Sequence, residues 1–131
     1  MKSREKLIRR RGRLRRFQVG EKRRRVTQIM SMIAEFERIA ADLDREIEAE
    51  QDRSGVHDPA HFAYPPYAKA AMQRRENLKR SAADLKLQLD DAKAMLAEAS
   101  EAMKKVELLD ARHRMREREE PLSITNAVPA R

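Results

Sequence analysis

"DRSGVHDPAHFAYPPYAKAA", Asp52 to Ala71, interrupts a sequence otherwise made of charged and aliphatic residues. The stretch holds three of the five aromatic residues (Phe62, Tyr64, Tyr67), two of the three histidines (His57, His61) and three of the five prolines (Pro59, Pro65, Pro66). Gly55 stands where a helix commonly stops, the Asp58-Pro59 step disfavours helix at Asp58, and Tyr64-Pro65-Pro66 blocks continuation again. A helix running into the stretch therefore ends near Arg53. Pro66 suits the first turn of a following helix, where its missing N–H has no intrahelical partner to lose, so a second helix starts near Pro66 or Tyr67.

On both sides the apolar residues repeat in alternating steps of three and four. Upstream they are Val26, Ile29, Ile33, Phe36, Ala40, Leu43 and Ile47, with Glu35, Glu37, Asp44, Arg45 and Glu48 in the outer positions. Downstream the pattern returns at Leu78, Ala82, Leu85, Leu89, Ala92, Leu96, Ala99, Met103 and Val106. A strict heptad drifts around a straight helix, so each arm needs a partner and a left-handed supercoil to keep its stripe covered. Two similar stripes joined by a helix stop predict an all-α fold, a long antiparallel two-helix coiled-coil hairpin. Helix one is expected over residues 4–53, a connecting loop over 54–65, helix two over 66–119, and a flexible tail over 120–131 set off by Pro121. Arms of about 50 residues are each about 75 Å long. With the turn near residue 60, seam partners have numbers summing to about 120, which places Val26 near Leu96, Phe36 near Leu85 and Phe17 near Met103. Ala40, Ala82, Ala92 and Ala99 let the helices approach closely. A parallel homodimer through the same heptads is the competing arrangement, because periodicity does not fix orientation.

Composition agrees. The chain has 131 residues, 40% charged and 4% aromatic, too polar to fill an ordinary globular core of that size. Its Ala, Leu, Ile, Met, Glu, Lys and Arg are strong or fair helix formers, and one elongated domain is expected. The absence of cysteine excludes disulfides and thiolate metal sites and suits a reducing compartment, with the cytosol as the default. The basic beginning is not followed by an apolar core segment, and no run approaches the roughly 20 apolar residues of a membrane span, so neither a secretion signal nor an anchor is expected.

Charge is unevenly placed. The first 25 residues hold 13 Lys and Arg against two acids, a net of +11, and the remaining 106 residues carry a net of −3, together the +8 of the whole chain. In an antiparallel hairpin Arg112, Arg114 and Arg116 return beside that basic run and widen it. Phosphates attract clustered Arg, but stacking aromatics are not interleaved with it and no helix-turn-helix, zinc-finger or RRM signature is present. Against a lipid surface, Leu7, Ile8, Leu14 and Phe17 make a thin apolar face. An acidic or polar protein cavity and a merely solvated helix end are the other two readings.

No catalytic constellation is present. Ser54 lies near His57 but lacks an orienting third group and an oxyanion site, and there is no Gly-rich phosphate loop. His57, Asp58 and His61 make a poor metal site on a loop, and read better as turn and capping residues. No enzymatic role, metal or cofactor is expected. The three loop aromatics either plug the end of the coiled coil or form an exposed docking surface.

The opening "MKSREKLIR", then "LRRFQVGEKRR" at residues 14–24, "HDPAHFAYPPYAKAA" at 57–71 and the paired heptads resemble the flagellar export protein FliJ family in its alphaproteobacterial form, over roughly residues 1 to 119. The chain departs from that pattern at "RRGR", Arg10 to Arg13, close to one extra helical turn, which predicts a stutter and a local change of winding near Gly12. The resemblance implies a non-enzymatic, central-stalk-like component of the flagellar type III export apparatus. Its partners would be the export ATPase hexamer, the cytoplasmic domain of the export gate FlhA and export chaperones, with no specific nucleic acid. It would be cytoplasmic and peripheral to the inner membrane at the flagellar base. On this reading Arg9, Arg10, Arg13, Arg15, Arg16, Arg112, Arg114 and Arg116 meet the ATPase ring, and Phe62, Tyr64, Tyr67, Ala71 and Arg75 meet the gate. A basic nucleic-acid-binding coiled coil and a generic dimeric scaffold are the alternatives.

Overall fold

The computed structural model describes residues 2–127, with side chains through Glu119. Two helices, α1 (Lys2–Ser54) and α2 (Pro66–Ala127), pack against each other, and there is no strand among the described residues. The hairpin expected from the heptads is the fold, formed within one chain.

The loop shows why the helices stop where they do. Gly55 takes a φ of +74°, and its N–H bonds the carbonyl of Gln51 at 2.9 Å, capping the last turn of α1 in the left-handed conformation glycine tolerates. Asp58 Oδ1 accepts from the Ala60 N–H at 2.9 Å, and its carbonyl accepts from the His61 N–H at 3.0 Å. His61 repeats the device, Nδ1 accepting from Ala63 and its carbonyl accepting from Tyr64. Asp58 and His61 thus act as turn residues. Pro65 then accepts the first helical bond of α2, from Lys69 at 3.1 Å, and Pro66 occupies the first helical position as its chemistry requires.

The packing divides into two compact units. The loop unit, Arg25–Ala92, holds two apolar clusters. In one, Ile29, Ile33, Leu85 and Ala92 are buried with Val26, Phe36 and Leu89 against them; in the other, Leu43, Ile47 and Ala71 are buried with Ile39, Met72 and Leu78. Phe36 and Leu85 meet in one cluster, as the register predicts. Polar bridges between the helices agree with it: Arg75 to Asp44 at 2.9 Å and Lys86 to Glu37 at 3.0 Å also join numbers summing to about 120. Numbers that rise on one helix and fall on the other make the pairing antiparallel.

The basic unit, Met1–Arg24 with Lys93–Arg131, follows the same steps with different residues. Along α1 the covered positions include a three-four series at Glu5, Ile8, Gly12, Arg15, Val19 and Lys22, with Gln18 and Gly20 half-buried beside Val19. The three-four alternation passes through Gly12 unbroken, so the stutter expected there does not occur; phase is kept because Gly12 and Arg15 occupy seam positions. The same phase corrects Phe17, expected opposite Met103. It lies two positions from both Arg15 and Val19, and is 58% exposed.

A second difference is the end of α2. Pro121 was expected to stop the helix near Glu119, yet α2 continues to Ala127. A proline removes one backbone bond and crowds the carbonyl four residues earlier, which bends a helix or breaks it; here the helix continues across it. The expected tail is therefore helical through Ala127, and its residues 128–131 lie outside the described residues.

Two glycines should respond in opposite directions to alanine. Gly55→Ala forces a side chain into the left-handed region and should destabilise by about 1 kcal/mol. At Gly12 the nearest atoms to a new Cβ belong to the Arg16 guanidinium, the closest at 3.5 Å, so Gly12→Ala fits and should stabilise by about 0.5–1 kcal/mol through helix propensity. Urea denaturation followed by circular dichroism measures both.

Candidate functional site

The aromatic loop, seen in its geometry, separates into a plug and a surface. Tyr64 is 6% exposed; its hydroxyl accepts from Gln51 Nε2 at 2.9 Å and donates to Met72 Sδ at 3.3 Å, so one ring joins the end of α1 to the start of α2. Ala68 and Ala71 are buried. Tyr64 and Ala71, expected to contact a partner, are therefore interior residues. The chain doubles back there, and the Tyr64 ring, bonded to both helices, and the small side chains of Ala68 and Ala71 are all excluded from solvent. Phe62 is the opposite case, 97% exposed, its ring stacked on that of His61 at 4.7 Å. Tyr67 is 57% exposed and donates to Glu46 Oε2 at 2.8 Å, an acceptor that holds its phenol above the ordinary range. Arg75 is half-buried at a seam position and is held by Asp44 and Glu76, its pKa raised by the hydrogen bond to Asp44 first. Of the five residues expected at this surface, Phe62 and Tyr67 are displayed and Arg75 is tied up internally. His57 lies 3.3 Å from Asp52.

In the basic unit Arg9, Arg10, Arg13 and Arg16 on α1 are exposed, as are Arg112, Arg114 and Arg116 on α2. Arg15 differs. It is half-buried on the seam and donates to Gln18 Oε1 at 3.2 Å. Arg114 pairs with Asp110 at 3.1 Å. Among these arginines stand exposed apolar side chains: Leu7, Leu14 and Phe17 on α1, which with Ile8 made the thin face expected from the sequence, and Leu108, Leu109 and Met115 on α2, which that reading did not include. Leu7, Arg10, Leu14 and Phe17 are three or four residues apart and share one helix face, as do Leu108, Arg112 and Met115. The spacing was readable as a second stripe beside the heptad.

The sequence reading also missed a mixed acid–imidazole group. Glu5 from α1 meets His113 and Glu117, one turn apart on α2, with ligand-type atoms all within 4.8 Å of one another. A hydrogen bond with Glu117, then Arg9 and His113, holds the Glu5 carboxyl below its ordinary range. The signal was the heptad continued past Val106, which reaches Asp110, His113 and Glu117 in place of apolar residues.

Comparison with protein-family models, curated proteins and solved structures found no match to this chain. No helix among the described residues is long and apolar enough to cross a membrane.

The two kinds of loop aromatic should separate by mutation. Tyr64→Ala should destabilise by about 3 kcal/mol, as a buried ring lost to a cavity, and Tyr64→Phe by about 1 kcal/mol through its hydroxyl bonds. Phe62→Ala should stay within about 0.5 kcal/mol of the parent. Thermal unfolding of the three variants is the measurement.

Proposed function

We infer that the chain is a non-enzymatic helical adaptor of a flagellar type III export apparatus, a stalk-like component that engages an export ATPase ring and an export gate and assists chaperone delivery. The reading rests on the resemblance of its basic start and loop to the FliJ family, and it places the protein at the cytoplasmic face of the inner membrane through its partners. One observation on the molecule supports a protein partner in particular: exposed Arg10 shares a helix face with exposed Leu7, Leu14 and Phe17, and exposed Arg112 shares one with exposed Leu108 and Met115. Such a surface suits a cavity that offers both acidic and apolar groups, because Arg contributes charge and a planar donor set while the apolar side chains are relieved of water. A nucleic-acid backbone would leave those apolar residues exposed. Phe62, held out from the loop, is the corresponding anchor for the gate, with Tyr67 beside it in sequence and partly exposed.

The test uses the full chain with a purified ATPase hexamer and the cytoplasmic domain of the gate. Changing Arg9, Arg10, Arg13 and Arg16 together to Glu, and leaving half-buried Arg15 in place, should keep the helicity and weaken ring binding at least about tenfold, or about 1.4 kcal/mol. Ring binding by the parent should also weaken with salt. Phe62→Ala should retain ring binding and lose gate binding. Unchanged ring affinity of the folded charge-reversal variant, with steeply salt-dependent binding of the parent to random duplex DNA, would replace this reading with the nucleic-acid one.

A further inference from the structure

We propose that Glu5, His113 and Glu117 form a zinc site that ties α1 to α2 within the basic unit. The proposal stands on geometry and is independent of the export reading. The three side chains converge from two helices, with His113 and Glu117 on one face of α2 and Glu5 facing them from α1. His113 Nε2 is shielded from solvent and makes no hydrogen bond among the described residues, although Glu117 Oε1 is 3.3 Å away. A buried ring nitrogen without a hydrogen-bond partner costs free energy, and a metal ion would satisfy it. Glu5 and Glu117 share a hydrogen bond, which between two carboxyl groups takes one proton, and a divalent ion bound there would take that proton's place.

A hollow of about 140 Å³ adjoins the group, lined by Glu5, Arg9, Asp110, His113, Arg114 and Glu117. Asp110 is engaged by Arg114 at 3.1 Å, and the imidazole and the two glutamates, which already contact one another, converge as the ligand set. With the shared proton released on binding, the two carboxylates balance a divalent ion. The imidazole nitrogen favours zinc over magnesium or calcium, which take oxygen ligands. Tetrahedral zinc with nitrogen and oxygen ligands at about 2.0–2.2 Å holds them about 3.4 Å apart. The group therefore has to contract from its 4.8 Å envelope, a movement two glutamate side chains supply by rotamer adjustment. Three protein ligands leave the fourth position to water. Arg9 opposes the ion electrostatically and limits affinity, so the site is a moderate clamp rather than a folding requirement.

The experiment is a Zn²⁺ titration of the full chain, freed of metal with EDTA, by calorimetry and by melting temperature, with Co²⁺ absorption as a reporter of four-coordinate geometry. One Zn²⁺ per chain is expected, with a melting temperature that rises with Zn²⁺ and falls back on chelation. Losing an outer-shell partner already weakens metal sites by about 10–100-fold, so His113→Ala should weaken binding at least that much. Glu5→Gln and Glu117→Gln keep the shape and should each weaken it at least about tenfold. A His57→Ala, His61→Ala double variant should bind as the parent does. Circular dichroism of the metal-free variants separates lost binding from lost folding. No saturable Zn²⁺ uptake by the parent, or uptake that survives His113→Ala and disappears in the loop double variant, overturns the site.

Discussion

An apolar stripe that neither helix can bury alone is the constraint from which the structure follows. Isolated helices gain little from propensity in water, and most helical stability in proteins comes from packing an amphipathic face. In the loop unit that packing sets Ile29, Ile33 and Phe36 against Leu85, Leu89 and Ala92. The polar bridges are consequences of the register more than its cause: Lys86 and Glu37 are both largely exposed, and such pairs contribute about 0–1 kcal/mol each. Arg75 is the exception. It occupies a seam position with its side chain mostly covered, and the Asp44 and Glu76 carboxylates make that placement tolerable.

Where the code was residue-local, the sequence was legible. Gly55, Asp58 and the Pro65-Pro66 pair act through their own backbone chemistry, so both helix boundaries beside the loop could be placed to within a residue or two. The heptads were legible for the same reason, each position being a simple apolar or polar choice. Direction within the loop was not. Phe62 and Tyr64 are two residues apart and equally apolar in bulk, yet one is outside and the other inside. The difference comes from turn geometry, through the bonds of Asp58 and His61 to the residues after them, and from a hydroxyl that only Tyr64 can offer to Gln51 and Met72. Phe17 was misplaced by a related error, since apolarity was followed where phase should have been.

Phase carries its own lesson in the basic unit. Its seam positions hold Glu5, Gly12, Arg15 and Lys22 on α1, and Asp110, His113 and Glu117 on α2. Among its described residues only Gly12 and Val19 are buried, while in the loop unit a run of Ile, Leu and Ala side chains is excluded from water. A seam built this way retains the helical pairing at a reduced hydrophobic gain, and segments with few buried apolar contacts open locally at lower free energy than the core.

That weakness changes what binding means in the basic unit. Any ligand that prefers the packed pair over the opened one stabilises it by mass action, by an amount set by its concentration relative to its dissociation constant. In a well-packed seam such a ligand would add to stability already present. Here it would act on the unit with the fewer buried apolar side chains, and on residues that both proposals need held together: a fixed spacing of arginines for the proposed protein partner, and Glu5 within reach of His113 and Glu117 for the proposed metal site. Binding at this surface and closure of the seam beneath it are therefore one coupled equilibrium, and substitutions that make the seam more apolar should strengthen recognition even at positions no partner touches.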